Sequence, residues 1–284
     1  MEEAERKGAS VLMDQTIKDF YQKNGAALLR GVFSPEQLEL LARGIEKNVA
    51  EPSPTSFSRF EGEDGRGVFT LDYGCHRWIP EYIEFAATSR LSELAAELLQ
   101  SKRVCFFDDS YFIKQAGSEI KVPWHHDFTY YEIEGDILVA WIPLDSHGEH
   151  ETLRLVAGSH RWGKRFPPVE FESHRDPASA GVVPKSYDPI PDIDAGDYEI
   201  LSWEVEPGDC VFFNGLTLHS SRGNPTQSEQ RRFNCRFVDE SAVYVPNPDF
   251  PLGDGKANAN VQPGQRLSED PEHFPVLWQA DTND

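Results

Sequence analysis

A chain of 284 residues with 39% hydrophobic and 12% aromatic content can bury a core of its own and suits one large domain or two small ones. Its 27 Lys and Arg against 48 Asp and Glu leave a net charge of −21, a field that repels polyphosphate backbones and argues against nucleic acid as a partner, although charge alone selects no substrate. No apolar stretch approaches the roughly 18 to 20 residues of a membrane span, MEEAERKGAS lacks the apolar region of a signal peptide, and Cys75, Cys105, Cys210 and Cys235 form no CxxC pair, so a cytoplasmic protein with reduced thiols is expected.

Residues 1–12 read as a charged tail. MDQTIKDFYQKNG then spaces Ile17, Phe20 and Tyr21 for a helix that stops at Asn24-Gly25, and AALLRGVF reads as a short strand. Ser34-Pro35-Glu36-Gln37 starts a second helix, with Ser34 as N-cap, Pro35 in the first turn and Gln37 completing a capping box ahead of LELLARGIEKNV. LSELAAELLQ, residues 91–100, is a further helix. From VCFFDDSYFIK onward the texture changes to short β-rich runs separated by Gly, Pro, Asp and Ser: DILVAWIPL, TLRLVAGS, YEILSWEV, GDCVFFN and RRFNCRFV. That rhythm belongs to a sandwich or barrel. Residues 165–198, rich in proline and charge, form a long insertion of the kind that often acts as a lid over a site.

VPWHHDFTYYEI, residues 122–133, sets His125, His126 and Asp127 side by side in a chain with nine histidines. In an extended strand residues i and i+2 face one side, so His125 and Asp127 can aim a nitrogen and an oxygen at one point while His126 faces away. Two imidazoles and one carboxylate on one face, with the opposite positions open, form the facial triad of non-heme Fe(II) oxygenases. The third ligand must come from elsewhere. His219, at the end of the apolar strand in GDCVFFNGLTLHSSRGN, is the candidate. An isolated HxD is a weak signal, and so is a lone strand-end histidine; here they occur together.

WHHDFTYY, AWIPLD, LRLVAGSHRWG, GDCVFFNGLTLHSS and RRFNCRF, together with FYQKNGAALLRGVFSPEQLELLARGI near the start, resemble the successive blocks of the phytanoyl-CoA dioxygenase-like Fe(II)/2-oxoglutarate oxygenases over about residues 15–242. The resemblance implies a mainly β fold with flanking helices, a double-stranded β-helix or cupin-like jelly roll with the metal at its open end. The chain is expected to divide into the tail, a helical part over about 13–100, a jelly-roll core over about 101–242 and a C-terminal extension over 243–284, residues 13–284 making one domain. The resemblance also implies Fe(II) on His125, Asp127 and His219, with 2-oxoglutarate and O₂ as co-substrates. The far carboxylate of 2-oxoglutarate falls to Ser221 and a following arginine, since a buried dianion needs a charge-assisted partner. Trp141 and Lys114 match residues of the same pocket. The reaction implied is hydroxylation with succinate and CO₂ as co-products, because Asp127 fills the place that a halogenating relative leaves to chloride.

Three departures from the family pattern bear on the site. Where the arginine is usual this chain has Gln230, so Arg231 with a one-residue shift or Arg232, on the same strand face as position 230, must take its role. The middle residue of HxD is His126, expected to point off the metal. VAGSH has Ala157 where proline is common, with His160 read as a structural turn residue.

For the substrate, a small molecule, the candidates are Phe128, Tyr130 and Tyr131 just past the ligands, Arg77 and Trp78 in CHRWIP, and Arg154 on a strand taken to face the site. Arg77 with Arg154 could bind a carboxylate or phosphonate, whereas Asp108, Asp109 and the tyrosines could cage an amine. The rival readings are a cupin-like metal isomerase or hydrolase on the same ligands, and a non-catalytic binding module. Neither has a use for a serine and a buried arginine after His219.

Overall fold

The computed structural model describes residues 13–54, 56–62, 67–169, 187–246 and 261–280. Helix α1 (Gln15–Asn24) is capped by the Asp14 side chain and ends at Gly25, whose φ of 79° is left-handed. A Cβ there would run into His160 and Thr217, so the helix end sits on the loops carrying both. Strand β1 (Ala26–Leu29) follows, then α2 (Pro35–Ala50) with the capping box of Ser34 and Gln37. Next come β2 (Ser58–Phe60), β3 (Phe69–Tyr73), α3 (Pro80–Thr88) and α4 (Leu91–Leu99).

The remaining strands are β4 (Arg103–Lys114), β5 (Val122–His125), β6 (Ile133–Glu134), β7 (Ile137–Pro143), β8 (Leu153–Val156), β9 (Ile200–Leu201) and β10 (Cys210–Asn214), followed by β11 (His219–Ser221), β12 (Gln230–Asp239), β13 (Val243–Tyr244) and β14 (Val276–Gln279). They form a large sheet in the order β1-β10-β7-β12-β4-β3-β2, with β14 also on β4, a smaller sheet β5-β11-β8-β9, and the pair β13-β6; every pairing is antiparallel. Two facing antiparallel sheets with flanking helices are the double-stranded β-helix.

Side-chain alternation divides the core into layers. Leu138, Ala140 and Ile142 of β7 and Phe233, Cys235 and Phe237 of β12 pack outward against Tyr82, Phe85 and Leu94 of the helices, with the Tyr82 and Phe233 rings 4.4 Å apart. The opposite face of β7, with Ile137, Val139 and Trp141, meets Leu153 and Leu155 of the smaller sheet. Phe166 and Ile193, from the described ends of the 165–198 insertion, cover the outer side of the smaller sheet over Val156 and Leu218. The middle of that insertion, residues 170–186, and the expected tail, residues 1–12, lie outside the described residues.

The layout differs from the sequence reading in four places. The N-terminal part adds β2 and β3 to the large sheet besides the expected β1, and the C-terminal extension returns β14 to β4. Helix α3, in PEYIEFAAT, went unread; Pro80 at its start and buried Tyr82, Phe85 and Ala86 are the signals it carries. YEILSWEV forms only the two-residue β9, paired with Leu155 and Val156, and an isolated bridge from Val205 to His147.

Candidate active site

Strand β5 ends at His125, whose ladder partner on β11 is His219, and the two rings lie 4.2 Å apart. His126 remains extended, so the alternation carries Asp127 back to the face of His125 before a short 3₁₀ turn over residues 127–130 begins. Asp127 Oδ1 lies 3.5 Å from His125 Nε2 and 3.4 Å from His219 Nε2. One ligand atom from each of the three residues falls within 4.8 Å of the others, and all three residues are buried. His126 turns the other way, packing on the Phe166 ring and accepting the Phe166 N–H at Nε2 (3.2 Å).

The surroundings prepare these groups as ligands. His125 Nδ1 faces the Pro123 carbonyl at 2.8 Å and His219 Nδ1 the Thr217 carbonyl at 2.9 Å, which places the proton on Nδ1 and the lone pair on Nε2. Burial, reinforced by His125, pushes the His219 imidazole down to about 3, leaving it neutral at neutral pH. Burial opposes the ionised Asp127, yet the Arg236 guanidinium, with His125 and His219, holds its carboxyl well below the usual carboxylate range. Arg236 Nε donates to Asp127 Oδ2 at 2.8 Å and Nη1 to Ser110 Oγ at 3.1 Å. Its guanidinium lies 5.7 Å from the Tyr131 ring, and the Tyr131 hydroxyl donates to Asp108 Oδ2 at 2.9 Å. Two imidazoles and one ionised carboxylate, buried and pre-oriented, fit a hard or borderline divalent metal such as Fe(II).

A second polar cluster lies between β4, β12, β7 and β11. Lys114, fully buried, donates from Nζ to Ser221 Oγ at 3.1 Å and to the Arg222 carbonyl at 2.6 Å. Burial, then the nearby Arg232, hold its ammonium well below the ordinary lysine value. Arg232 is buried on the same sheet face, its guanidinium 5.7 Å from the Trp141 ring, donating to the Glu151 carbonyl at 3.1 Å and to the Gln230 side-chain oxygen. Neither cation is ion-paired with a carboxylate among the described residues. Arg231 does not join them: strand parity sends it to the other face, where Nη2 and Nε bond Asp145 at 2.9 and 3.3 Å.

The substrate candidates separate. Tyr130 lies 5.9 Å from the His125 ring, edge-on, and exchanges hydrogen bonds with the Val169 backbone at 2.8 and 2.9 Å. Phe128 is core, capped by the Arg165 guanidinium at 3.8 Å, and Tyr131 is held behind Arg236. Arg154 contradicts the sequence reading: Leu153 and Leu155 take the inward positions of β8, so Arg154 points outward, onto the Trp124 ring and Asp194 at 2.7 Å. Arg77 and Trp78 are exposed just after β3. Asp109 faces the helices, accepting from Cys75 N and His76 N at 3.0 and 2.9 Å, so only Asp108 stands on the site side. Sequence reasoning missed Arg236 and Tyr73. The parity that selects Arg232 reaches Arg236 four residues on, and Tyr73, half-buried opposite Ser110, shares its strand face with Leu71.

A triad of two histidines and a carboxylate, held inside a double-stranded β-helix, defines a mononuclear non-heme metal protein of the jelly-roll class. A profile of the phytanoyl-CoA dioxygenase (PhyH) family matches residues 21–233, and the chain belongs to that family of Fe(II)/2-oxoglutarate oxygenases. A probable phytanoyl-CoA dioxygenase of Caenorhabditis elegans is 25% identical over 261 residues, spanning 84% of this chain and 80% of the relative. The ectoine dioxygenase of Bordetella bronchiseptica is 24% identical over 254 residues, spanning 86% and 80%. Among solved structures, the non-heme α-ketoglutarate-dependent epimerase SnoN from nogalamycin biosynthesis superposes with a TM-score of 0.72 at 18% identity, covering 95% of this chain and 98% of its own.

Proposed function

We propose that this chain is an Fe(II)- and 2-oxoglutarate-dependent dioxygenase that hydroxylates an unactivated C–H bond of a small molecule, releasing succinate and CO₂. The observation that carries the reading is the second cluster. Lys114 and Arg232 are buried basic side chains without a carboxylate partner among the described residues, beside a three-donor metal site. Unpaired buried charge is costly, and a dicarboxylic keto acid supplies the missing anion. A metal isomerase, a hydrolase or a bare binding module has no use for it.

His125, Asp127 and His219 would hold the iron, and Lys114, Ser221 and Arg232 the far carboxylate of 2-oxoglutarate, with Trp141 as the pocket wall. When bound, iron and keto acid together supply an oxidant able to take hydrogen from a C–H bond. The residues of the chain do the positioning. Arg236 occupies Asp127 Oδ2, leaving Oδ1 as the single oxygen turned towards the histidines. Tyr130 and Tyr73 line the substrate side. Asp127, filling the position that chloride would need, supports hydroxylation over halogenation. Incubation with candidate substrates under ¹⁸O₂ tests the reading. Substrate-stimulated succinate with one labelled oxygen in the product is expected. An isomer of unchanged mass would move the chain towards epimerase chemistry, and turnover without succinate would reject the oxygenase.

A further inference from the structure

The corner of the molecule around Arg232 holds more hydrogen-bonding capacity than the chain satisfies. His147 is 3% exposed, and neither of its ring nitrogens has a hydrogen-bond partner. Gln230, equally buried, leaves its amide nitrogen unpaired, and Arg232 leaves Nε unpaired. Buried polar groups in native proteins are nearly always satisfied, so unpaired atoms gathered in one place mark a missing partner.

The geometry puts these atoms together. Gln230 faces Lys114 across the β12–β4 ladder, and its side-chain oxygen accepts from Arg232. Arg232 lies over Trp141, whose ring is 6.3 Å from that of His147. The backbone fixes His147 there: its N–H donates to the Val205 carbonyl at 2.9 Å, and Val205 N–H returns the bond at 3.0 Å. Burial, then Arg232, push the His147 imidazole down to about 3, with Asp145 the nearby group acting the other way, so it stands as a neutral ring with one N–H to give. The unpaired amide nitrogen and guanidinium N–H are donors, as is one nitrogen of the ring, and a carboxylate, with about four lone-pair sites, is the group that takes them all.

We propose that His147 and Gln230 complete the carboxylate end of the co-substrate pocket, donating to the anion that Arg232 and Lys114 neutralise, and so set the preference for a dicarboxylic keto acid. The proposal rests on the co-substrate reading above and adds two residues to it. Neither carries the charge; both fix the carboxylate's orientation, and with it the placing of the keto group towards the metal.

Binding to the Fe(II)-loaded protein under nitrogen, followed by tryptophan fluorescence or calorimetry, tests this without turnover. The probes are 2-oxoglutarate and 2-oxovalerate, which has the same carbon chain but no far carboxylate. His147→Phe and Gln230→Leu should each weaken 2-oxoglutarate on the order of 10- to 100-fold, as loss of a hydrogen bond to a charged group does, and leave 2-oxovalerate within about threefold. His147→Asn, which keeps a donor, should recover most of the affinity. Gln230→Glu, nearly isosteric, should abolish 2-oxoglutarate binding and spare 2-oxovalerate, since a resident carboxylate fills the pocket. Equal weakening of both acids would assign the residues a structural role and overturn the proposal. If Arg232→Met weakens 2-oxoglutarate while His147→Phe and Gln230→Leu do not, the proposal alone fails. Should Arg232→Met and Lys114→Met also leave 2-oxoglutarate unaffected, the co-substrate reading itself fails.

Discussion

A carboxylate that is to bind a metal through one oxygen needs its other oxygen occupied, and Arg236 does this for Asp127 with a 2.8 Å bond from Nε. Removing the arginine frees Oδ2 and leaves the carboxylate buried without its main counter-charge. Arg236→Met should lower Fe(II) affinity by about 10- to 100-fold in competition with a chelator, and Arg236→Lys, which cannot reproduce the fixed donor direction, should fall between. Unchanged iron affinity in both would mean that the bond orients nothing. Lys114 gives a pH prediction of known sign. Burial and Arg232 hold its pKa well below the ordinary value, and a bound dianion favours the ammonium and raises it again. Keto-acid binding therefore takes up protons, and affinity falls as pH rises through the pKa of the free site. Calorimetry in buffers of different ionisation enthalpy should show uptake in the wild type and none in Lys114→Met; proton release on binding would contradict it.

Strand β12 organises the site at the scale of elements. Its outward residues Phe233, Cys235 and Phe237 serve the helices, while Gln230, Arg232, Asn234 and Arg236 form a buried polar row running from the co-substrate cluster to the metal ligands. The HxD pair, His219 and both early helices were legible because period-2 alternation, a strand end and helix caps are local signals. Which of Arg231 and Arg232 faces inward was not, because it depends on which sheet face is inside; in the sheet with β4 and β7, Arg232 is the one turned inward. Arg154 was misread for the same reason, although Leu153 and Leu155 on either side already marked the inward parity. Elsewhere an element end explains a single residue. At the close of α1, Gly25 is left-handed and a Cβ would meet His160 and Thr217. Gly25→Ala should destabilise the protein by about 2 kcal/mol or more in urea denaturation, from αL strain plus the clash. A change below about 0.5 kcal/mol would show that the loops yield freely.

Over the whole molecule, the two sheets each bring half of the site. The smaller one carries His125, His219 and Ser221; the larger one carries Lys114, Arg232 and Arg236. Ligands that bridge the sheets bind the folded state alone, so Fe(II) and 2-oxoglutarate at about a hundred times their dissociation constants should add about 2.7 kcal/mol each and raise Tm by several degrees, an increment that His125→Ala removes. No described helix is long and apolar enough to cross a membrane. Anaerobic titration of the Fe(II)-loaded protein with 2-oxoglutarate tests the joint site most directly. A weak visible charge-transfer band should grow and saturate, be absent with Zn(II), and disappear in His125→Ala and Arg232→Met. Iron binding with no band, or keto-acid binding indifferent to both substitutions, would put metal and anion in separate places and contradict the oxygenase assignment.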